Sequence, residues 1–347
     1  MLRELTTLRL GGPADELVTA GTEAELVEAV SRADADGTPL LVLAGGSNVV
    51  VADDGFRGTV VQVATRGIAD DTAAGSTEAC GGAMVTVAAG EPWDDVVAAA
   101  IGNRWVGVEA LSGIPGSTGA TPIQNVGAYG QEVAQSVAQV RTWDRRAASI
   151  HTFAAADCGF GYRTSRFKAE PGRYVVLSVT FQFPSGDLGA PVTYAELARA
   201  LGIEVGGRAP MGEVRDAVLA LRRTKGMVLD PADHDTWSAG SFFTNPVVAP
   251  DVVPEGAPAW SQPDGPEGAR VKTSAAWLIE QAGFDRGYGA GRARLSTKHT
   301  LALTNRGAAS TADLLALAGE IRDGVRQRFG IDLVNEPVLV GCALPPG

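Results

Sequence analysis

The chain is poor in the residues that usually hold metals and disulfides. Its 347 residues include only three cysteines and three histidines. The cysteines (Cys80, Cys158 and Cys342) are odd in number, lie far apart and form no CxxC pair, which argues against a disulfide framework and a zinc site. The histidines are equally scattered along the chain, so we expect no metal centre.

Long apolar runs and an excess of positive charge are also lacking. No stretch approaches the roughly 20 apolar residues that a membrane span requires, and the N-terminal residues alternate charged with apolar side chains, unlike a signal peptide. With 40 acidic and 29 basic residues, the net charge is −11. Such a surface repels nucleic acids and acidic membranes. We expect a cytoplasmic protein that binds no nucleic acid and does not insert into a membrane.

The common nucleotide-binding signatures are absent. No GxGxxG follows an early strand pattern, and no GxxxxGK[ST] occurs. The glycines of 287–291 follow a helical pattern instead of a strand. A Rossmann fold is therefore not indicated.

What the sequence does contain is a mixture of helix and strand patterns. Hydrophobic residues make up 45% of a chain long enough for two or three domains. The clearest strand is 173–183, where apolar side chains alternate on one face. Capping boxes at Thr22 with Glu25 and at Thr193 with Glu196 predict helix starts, and Pro92 is expected at a first helical position. Further strands are expected at 39–44, 49–51, 60–63, 85–88 and 338–344, and further helices at 211–223 and 310–329. The stretches 70–77 and 254–270 read as a junction and an exposed excursion.

Two glycine-rich segments carry the strongest local signals. Segment 111–130 holds five glycines and two prolines between Gly113 and Gly130 and no charged side chain, and Gly45-Gly-Ser-Asn follows a buried strand pattern. Such backbone can turn sharply, point several N–H groups at one anion, or let a flat ring lie on it. Two ordinary loops remain the alternative interpretation.

Three other stretches carry polar side chains with both a functional and a plain structural interpretation. Segment 161–168 places three bases within six residues of an acidic chain, which is typical of anion binding or of a solvated basic turn. Segment 238–246 combines small polar residues with paired phenylalanines, as in a pocket wall or as in a strand end with core aromatics. Glu336 is a lone acid before an apolar run, where an acid is usually solvated.

Taken in order, these stretches closely resemble the UDP-N-acetylenolpyruvoylglucosamine reductase family. The resemblance spans nearly the whole chain, and the order and spacing of its motifs are highly specific. Asn335 departs from it, because the family more often has proline before this glutamate. The matching motifs are Thr7-Leu-Arg-Leu-Gly-Gly-Pro-Ala, Gly45-Gly-Ser-Asn, Gly113-Ile-Pro-Gly-Ser-Thr-Gly-Ala-Thr-Pro-Ile-Gln-Asn-Val-Gly-Ala-Tyr-Gly, Gly161-Tyr-Arg-Thr-Ser-Arg-Phe-Lys, Gly240-Ser-Phe-Phe-Thr-Asn-Pro, Ala275-Ala-Trp-Leu-Ile-Glu-Gln and the Glu336 terminus.

The resemblance implies an α+β FAD-binding fold of the vanillyl-alcohol-oxidase (PCMH) type. Two subdomains would clasp the flavin and a third α+β domain would bind the substrate. The expected division is 1–71 for the first subdomain, 72–229 with 330–347 for the second, and 230–329 for the substrate domain. The implied reaction takes hydride from NADPH through FAD to UDP-N-acetylglucosamine enolpyruvate and gives UDP-N-acetylmuramate, a precursor of peptidoglycan. We expect a monomer.

The resemblance also implies residue roles. Arg163 would hold the substrate carboxylate as it becomes an enolate, Glu336 would donate a hydrogen bond to the same anion, and Ser241 would protonate C2. Tyr194 places the chain in the subgroup with a tyrosine loop that closes over UDP. The implied cofactor contacts are Gly45, Gly46, Ser47, Asn48, Gly113, Ile114, Pro115, Gly116, Gly119, Ala120, Gln124, Asn125, Gly127 and Ala128. The implied substrate contacts are Tyr129, Tyr194, Lys225, Asn245, Lys272 and Gln281.

Two other functions stay open at this point. An oxidase of an alcohol or sugar with the same fold would share the FAD loops but need not keep Arg163, Ser241 and Glu336 together. A nucleotide-sugar binder without catalysis would be colourless when purified, whereas an FAD enzyme is yellow.

Overall fold

The structure, a computed structural model, describes residues 1–74, 82–262 and 269–347. Cys80, the end of the predicted junction 70–77 and the middle of the predicted excursion 254–270 lie outside the described residues. The strands are β1 (Ala14–Ala20), β2 (Leu40–Leu43), β3 (Val49–Val51), β4 (Phe56–Val63), β5 (Ile68–Asp70), β6 (Gly82–Ala88), β7 (Gly127–Ala128), β8 (Gln131–Glu132), β9 (Val137–Asp144), β10 (Ser149–Ala154), β11 (Tyr174–Pro184), β12 (Val247–Val248), β13 (Ala259–Ser261), β14 (Val271–Thr273), β15 (Ala293–Leu295), β16 (Leu303–Asn305) and β17 (Val338–Val340). The helices are α1 (Glu23–Ala35), α2 (Trp93–Gly102), α3 (Arg166–Ala169), α4 (Ala195–Leu201), α5 (Met211–Thr224), α6 (Ala275–Gln281) and α7 (Thr311–Phe329).

The elements with strong local signals lie where they are predicted. Thr22 caps α1 in a complete capping box with Glu25, and Ser310 caps α7 in the same way with Asp313. The apolar alternation of 173–183 forms β11, whose Val179, Phe181 and Phe183 are fully buried.

Three details of the sequence prediction are wrong. The capping box of Thr193 and Glu196 does not form, because α4 begins at Ala195 with Tyr194 as its N-cap and without a side-chain cap. Pro92 is the N-cap of α2 instead of its first residue. The C-terminal strand β17 ends at Val340 and is shorter than expected.

The chain forms two compact units. Unit 1 comprises residues 1–13, 46–56 and 224–347, and unit 2 comprises residues 14–45 and 57–223. The three-domain division given above stays a prediction.

Unit 2 is built on an antiparallel five-stranded sheet in the order β10-β9-β11-β6-β5. A three-stranded sheet, β1-β4-β2, has β2 parallel to β4. Apolar side chains of both sheets and of α1 and α2 form one core, in which the ring centroids of Trp93 and Phe181 lie 5.8 Å apart. Burying such large aromatic rings is a main source of stability for the sheet that supports the glycine-rich segment.

Unit 1 packs α6 and α7 around a second apolar core that includes Phe242 and Phe243. Its small sheets are β12-β14-β13, β15-β16 and the parallel pair β17-β3. In the last of these, Val338 pairs with Val49 and Val340 with Val51. The C-terminal strand is therefore held beside residues that lie early in the chain.

Two negative findings hold for the described part of the chain. None of its helices combines the length and the apolar character needed to cross a bilayer. Nor do the described residues bring three or more His, Cys, Asp or Glu side chains together as metal ligands would be.

Candidate active site

Within unit 2, the glycine-rich segment 111–130 lies against Gly45 of the second glycine-rich stretch. A Cβ added to Gly45 would lie 2.6 Å from the Cα of Gly116, so the two backbones approach as closely as glycine alone allows. Gly113 and Gly116 have left-handed φ values of 71° and 112°. The stretch offers backbone and small neutral groups, which suits a flat flavin ring and its pyrophosphate. The residues therefore fit the implied cofactor.

The other predicted cofactor residues of this segment differ in burial. Gly119 is buried, and its N–H donates to the carbonyl of Ala89 at 2.8 Å. Those that remain partly exposed are Ile114, Pro115, Gly116, Ala120, Gln124, Gly127 and Ala128.

An ion pair that sequence reasoning missed anchors this segment. Asp94, in the first turn of α2, accepts the N–H of Gly113 at 2.6 Å. It also accepts both terminal nitrogens of Arg215, from α5, at 2.7 and 2.8 Å. Burial on its own raises the pKa of Asp94, but the hydrogen bonds from Arg215 and Gly113 and the charge of Arg215 outweigh it and hold the pKa below the ordinary value. Two adjacent acids at a helix start gave no sequence signal that one of them faces a loop.

The side chain of Asn125 connects neighbouring loops through hydrogen bonds. It has a left-handed φ of 46° and is 2% exposed. Its Nδ2 donates to Glu132 at 2.8 Å and to the carbonyl of Gly161 at 3.2 Å. Its Oδ1 accepts the N–H of Ala134 at 3.1 Å. The side chain therefore fixes the loops around the site, and its predicted contact with the cofactor stays a prediction.

The turn that carries Arg163 is tight and strained. Gly161 and Thr164 exchange backbone hydrogen bonds of 3.1 and 3.3 Å across it, and Arg163 has a left-handed φ of 52°. Non-glycine residues in this conformation cost free energy and concentrate at functional sites. The Nη2 of Arg163 donates to the carbonyl of Gly127 at 3.3 Å, and Lys168 donates to the carbonyl of Arg163 at 2.9 Å. Arg163 is thus brought next to the predicted cofactor residue Gly127.

All three bases in segment 161–168 have partners within the protein. Lys168 binds the Arg163 carbonyl as described, and Arg166 donates to the carbonyl of Asp157 at 2.8 Å. Since Arg163 itself donates to Gly127, the anion site expected in this segment stays a prediction.

The two predicted substrate tyrosines of unit 2 meet. Tyr129 and Gly130 form the two-residue turn between β7 and β8, with φ values of 49° and 86°, the pattern of a type I′ hairpin. A Cβ on Gly130 would lie 2.2 Å from Oγ1 of Thr193. The rings of Tyr129 and Tyr194 pack edge to face with centroids 5.5 Å apart. Tyr194 remains 47% exposed, so the pair presents an aromatic surface that a base or sugar can cover.

In unit 1, backbone pairing joins the segment that follows Ser241 to the segment of Glu336. Phe243 and Asn335 are bridge partners, and the N–H of Glu336 donates to the carbonyl of Phe242 at 2.8 Å. The other hydrogen bond of the bridge joins the N–H of Thr244 to the carbonyl of residue 334 at 3.0 Å. The N–H of Asn335 takes part in neither bond. The departure from proline at this position therefore leaves the backbone placement of Glu336 intact.

Asn48 also lies next to Glu336. Its carbonyl accepts the N–H of Val338 at 3.0 Å, and its Nδ2 donates to the Glu336 carbonyl at 3.4 Å. Gly46 has φ 58°, and a Cβ there would lie 1.9 Å from the carbonyl oxygen of Leu5. Ser47, between them, is partly exposed.

The remaining predicted substrate residues of unit 1 differ in their surroundings. The Oδ1 of Asn245 accepts the N–H of Ala275, so it holds the start of α6. Lys272 lies on β14 with its ammonium 5.9 Å from the ring centre of Trp260. Lys225 is partly exposed, and Gln281 is the exposed last residue of α6. Their roles stay predictions.

Two family models match the sequence. One, described as FAD binding domain, matches residues 14–152. The other, described as UDP-N-acetylenolpyruvoylglucosamine reductase, C-terminal domain, matches residues 230–340.

Relatives cover almost the full chain. A UDP-N-acetylenolpyruvoylglucosamine reductase of Cutibacterium acnes is 59% identical over 99% of this chain and 90% of its own length. The one of Streptomyces coelicolor is 56% identical over 99% of this chain and 90% of its own length. The crystal structure of the reductase from Thermus caldophilus, 25% identical, superposes with a TM-score of 0.64 over 98% of this chain and 97% of that chain.

The close approach of Gly45 to Gly116 and the match to the FAD-binding model define the class: the fold is an FAD-binding α+β fold of the PCMH type. The protein is an FAD-dependent oxidoreductase. Identity above 50% over nearly its whole length then places the chain in the UDP-N-acetylenolpyruvoylglucosamine reductase family.

Proposed function

We propose that the protein uses NADPH to reduce UDP-N-acetylglucosamine enolpyruvate to UDP-N-acetylmuramate, a cytoplasmic step in peptidoglycan precursor synthesis. The observation that carries the proposal is the backbone pairing of Phe242, which directly follows Ser241, with Glu336 in a member of this family. We propose that the enzyme acts as a monomer.

Bound FAD supplies the hydride carrier between NADPH and the enolpyruvyl group. The residues of the loop at Gly45 and Gly116 would hold it. The protein's own part is to bind the substrate and to manage the charge that develops on it.

The proposed catalytic roles follow from side-chain chemistry. The guanidinium of Arg163 presents a fixed positive fork that matches a carboxylate. Glu336, in its protonated form, donates a hydrogen bond to the same anion. Ser241 delivers the proton to C2, where the developing carbanion is a strong enough base to take it from a hydroxyl group.

The remaining contacts would hold the nucleotide sugar. Tyr129 and Tyr194 offer an aromatic surface, while Lys225 and Lys272 offer positive charge to the diphosphate. Asn245 and Gln281 add neutral polar groups. An acidic protein with local bases of this kind suits a substrate that carries both a diphosphate and a carboxylate.

Anaerobic stopped-flow absorbance near 450 nm tests the proposal. NADPH is mixed with the purified yellow protein, and UDP-N-acetylglucosamine enolpyruvate is added next. We expect bleaching followed by rapid return of the yellow colour. Return only on admission of air would contradict the substrate assignment and indicate an oxidase. A colourless protein that never bleaches would indicate a binding protein.

A further inference from the structure

A buried carboxyl group joins the two segments that carry Tyr129 and Tyr194. Glu109 lies in a short 3-10 turn and is 1% exposed. Its Oε2 accepts the N–H of Gly107 at 2.8 Å. Its Oε1 accepts two donors, the N–H of Ala190 and the Nε2–H of Gln131, the second at 3.0 Å. One buried oxygen atom therefore connects two separate segments of the chain.

The hydrogen bond from Gln131 to Glu109 connects Glu109 to the hairpin that carries Tyr129. Gln131 begins β8, directly after the turn formed by Tyr129 and Gly130. Its Oε1 accepts the N–H of Ala110 at 2.8 Å, so both ends of its amide are held by the turn that contains Glu109. The base of the hairpin is thereby fixed relative to Glu109.

The hydrogen bond from Ala190 to Glu109 connects Glu109 to the segment that carries Tyr194. Ala190 lies on the segment that runs to Val192, and Val192 exchanges hydrogen bonds of 2.8 and 2.7 Å with Gly207 and Gly206. Tyr194 follows two residues later. The carboxyl group and this short ladder together set where the tyrosine loop leaves the body of unit 2.

The fit around Glu109 is close. A Cβ added to Gly189 would lie 2.7 Å from its Oε1. Burial of a carboxyl group is costly, and an apolar side chain usually stabilises such a position as well or better. What an apolar side chain does not provide is acceptance of N–H groups from two loops at once.

We propose that Glu109 is a positioning residue for the nucleotide-sugar substrate and acts by setting the Tyr129–Tyr194 pair. The proposal rests on the proposed function, in which these tyrosines hold the UDP part of the substrate. Glu109 itself touches neither substrate nor cofactor in this scheme.

Glu109→Gln is the first test. The amide keeps the shape but has one oxygen, so it turns an NH2 group toward at least one of the three N–H donors. We expect the KM for UDP-N-acetylglucosamine enolpyruvate to rise about tenfold, as for loss of one hydrogen bond to a charged group. Reduction of the bound flavin by NADPH should stay within about twofold of the wild-type rate. Binding of UDP-N-acetylglucosamine to the oxidised protein, followed by flavin difference absorbance, should weaken by about the same tenfold factor.

A double-mutant cycle separates positioning from general damage. In a Tyr194→Ala background, Glu109→Gln should raise the KM by less than about twofold, because the group through which it acts is gone. An equal rise in both backgrounds, or a fall in the rate of flavin reduction by NADPH, would overturn the proposal. Gln131→Met removes only the connection to the hairpin and repeats the test should Glu109→Gln not fold.

Asp187→Asn is the matched control. It lies on the same loop, 77% exposed, and pairs with Arg104 on the surface at 2.7 Å, so the KM should not change. If the wild-type protein fails to reduce the enolpyruvyl substrate, the proposed function falls. The cycle measured by binding of UDP-N-acetylglucosamine then still decides the role of Glu109.

Discussion

Two substitutions of Asp94 remove its hydrogen bonds in steps. Its Oδ1 accepts Gly113 and one nitrogen of Arg215, and its Oδ2 accepts the other nitrogen. Asp94→Asn keeps one oxygen, so it can retain the bond to Gly113 but loses the charge and one bond to Arg215. Asp94→Ala loses all three bonds and leaves the cofactor segment without this anchor.

The expected magnitudes follow from the exposure of the groups. A hydrogen bond from a backbone N–H to a charged group contributes about 1.5–3 kcal/mol. The side chain of Asp94 is 38% exposed, so solvent screens its ion pair with Arg215 to about 1 kcal/mol or less. We therefore expect the free energy of unfolding to fall by about 1 kcal/mol in Asp94→Asn and about 3 kcal/mol in Asp94→Ala. The dissociation constant of FAD should rise about tenfold or more in Asp94→Ala.

Urea unfolding with and without FAD measures the first quantity, and the fluorescence of released FAD measures the second. Asp95→Asn is the control, because this exposed neighbour shares the same helix turn and the same charge change. The reasoning is refuted if Asp95→Asn costs as much as Asp94→Ala, or if Asp94→Ala binds FAD as tightly as the wild type.

The same pair makes a prediction about pH. The pKa of Asp94 lies below its ordinary value of 3.8, because the bonds from Arg215 and Gly113 outweigh its burial. A lowered pKa contributes stability that is fully present above the unfolded-state pKa and is lost as the pH falls through the folded-state value. The stability gap between wild type and Asp94→Ala should therefore be constant between about pH 5 and 8 and narrow below about pH 4. A gap that widens in acid would contradict this.

Three further predictions concern other parts of the chain. Ser241→Ala should leave flavin reduction by NADPH within about twofold and slow reoxidation by the substrate by a factor of about 100 or more; equal slowing of both steps in rapid kinetics would contradict the proton-donor role. Gly130→Ala should cost about 1–2 kcal/mol in urea unfolding, because φ is 86° and the new Cβ meets Thr193; full recovery on adding Thr193→Ala would show that the turn itself is unstrained. Cys158, whose pKa is raised to about 11 by burial and by Asp157, should resist iodoacetamide near pH 8 until the protein unfolds, and peptide mass spectrometry of the native protein would reveal any labelling.

Elements with self-contained signals are the ones that the sequence predicts well. The capping box of α1, the helical spacing of apolar residues in α7 and the alternation in β11 involve residues only a few positions apart. Thr193 fails as a cap because its hydroxyl lies against the Tyr129–Gly130 turn, a contact between distant segments. Local patterns do not report such contacts.

In the candidate active site, too, features encoded by neighbouring residues were predicted and long-range contacts were not. The composition of the glycine-rich segments indicates close backbone approach, and Gly45 does meet Gly116. The acids that hold these loops were missed. Glu109 and Ala190 are 81 positions apart, so a single acid within an apolar stretch reveals its purpose only when the partner loops are placed. The left-handed conformations of Tyr129 and Arg163 were equally unpredictable, because these residue types usually occupy other regions.

The pairing of β17 with β3 has a consequence for the order of events during synthesis. Asn48 and Glu336 are 288 positions apart, so β3 leaves the ribosome long before its partner is made. All residues of unit 2 precede position 224, so its sheets can form on the nascent chain before the strand that pairs with β3 is synthesised. Val49, Val50 and Val51, all buried in the finished protein, therefore lack their strand partner until translation is nearly over. Until then they form an unpaired strand edge on the growing chain, the kind of edge that a chaperone shields.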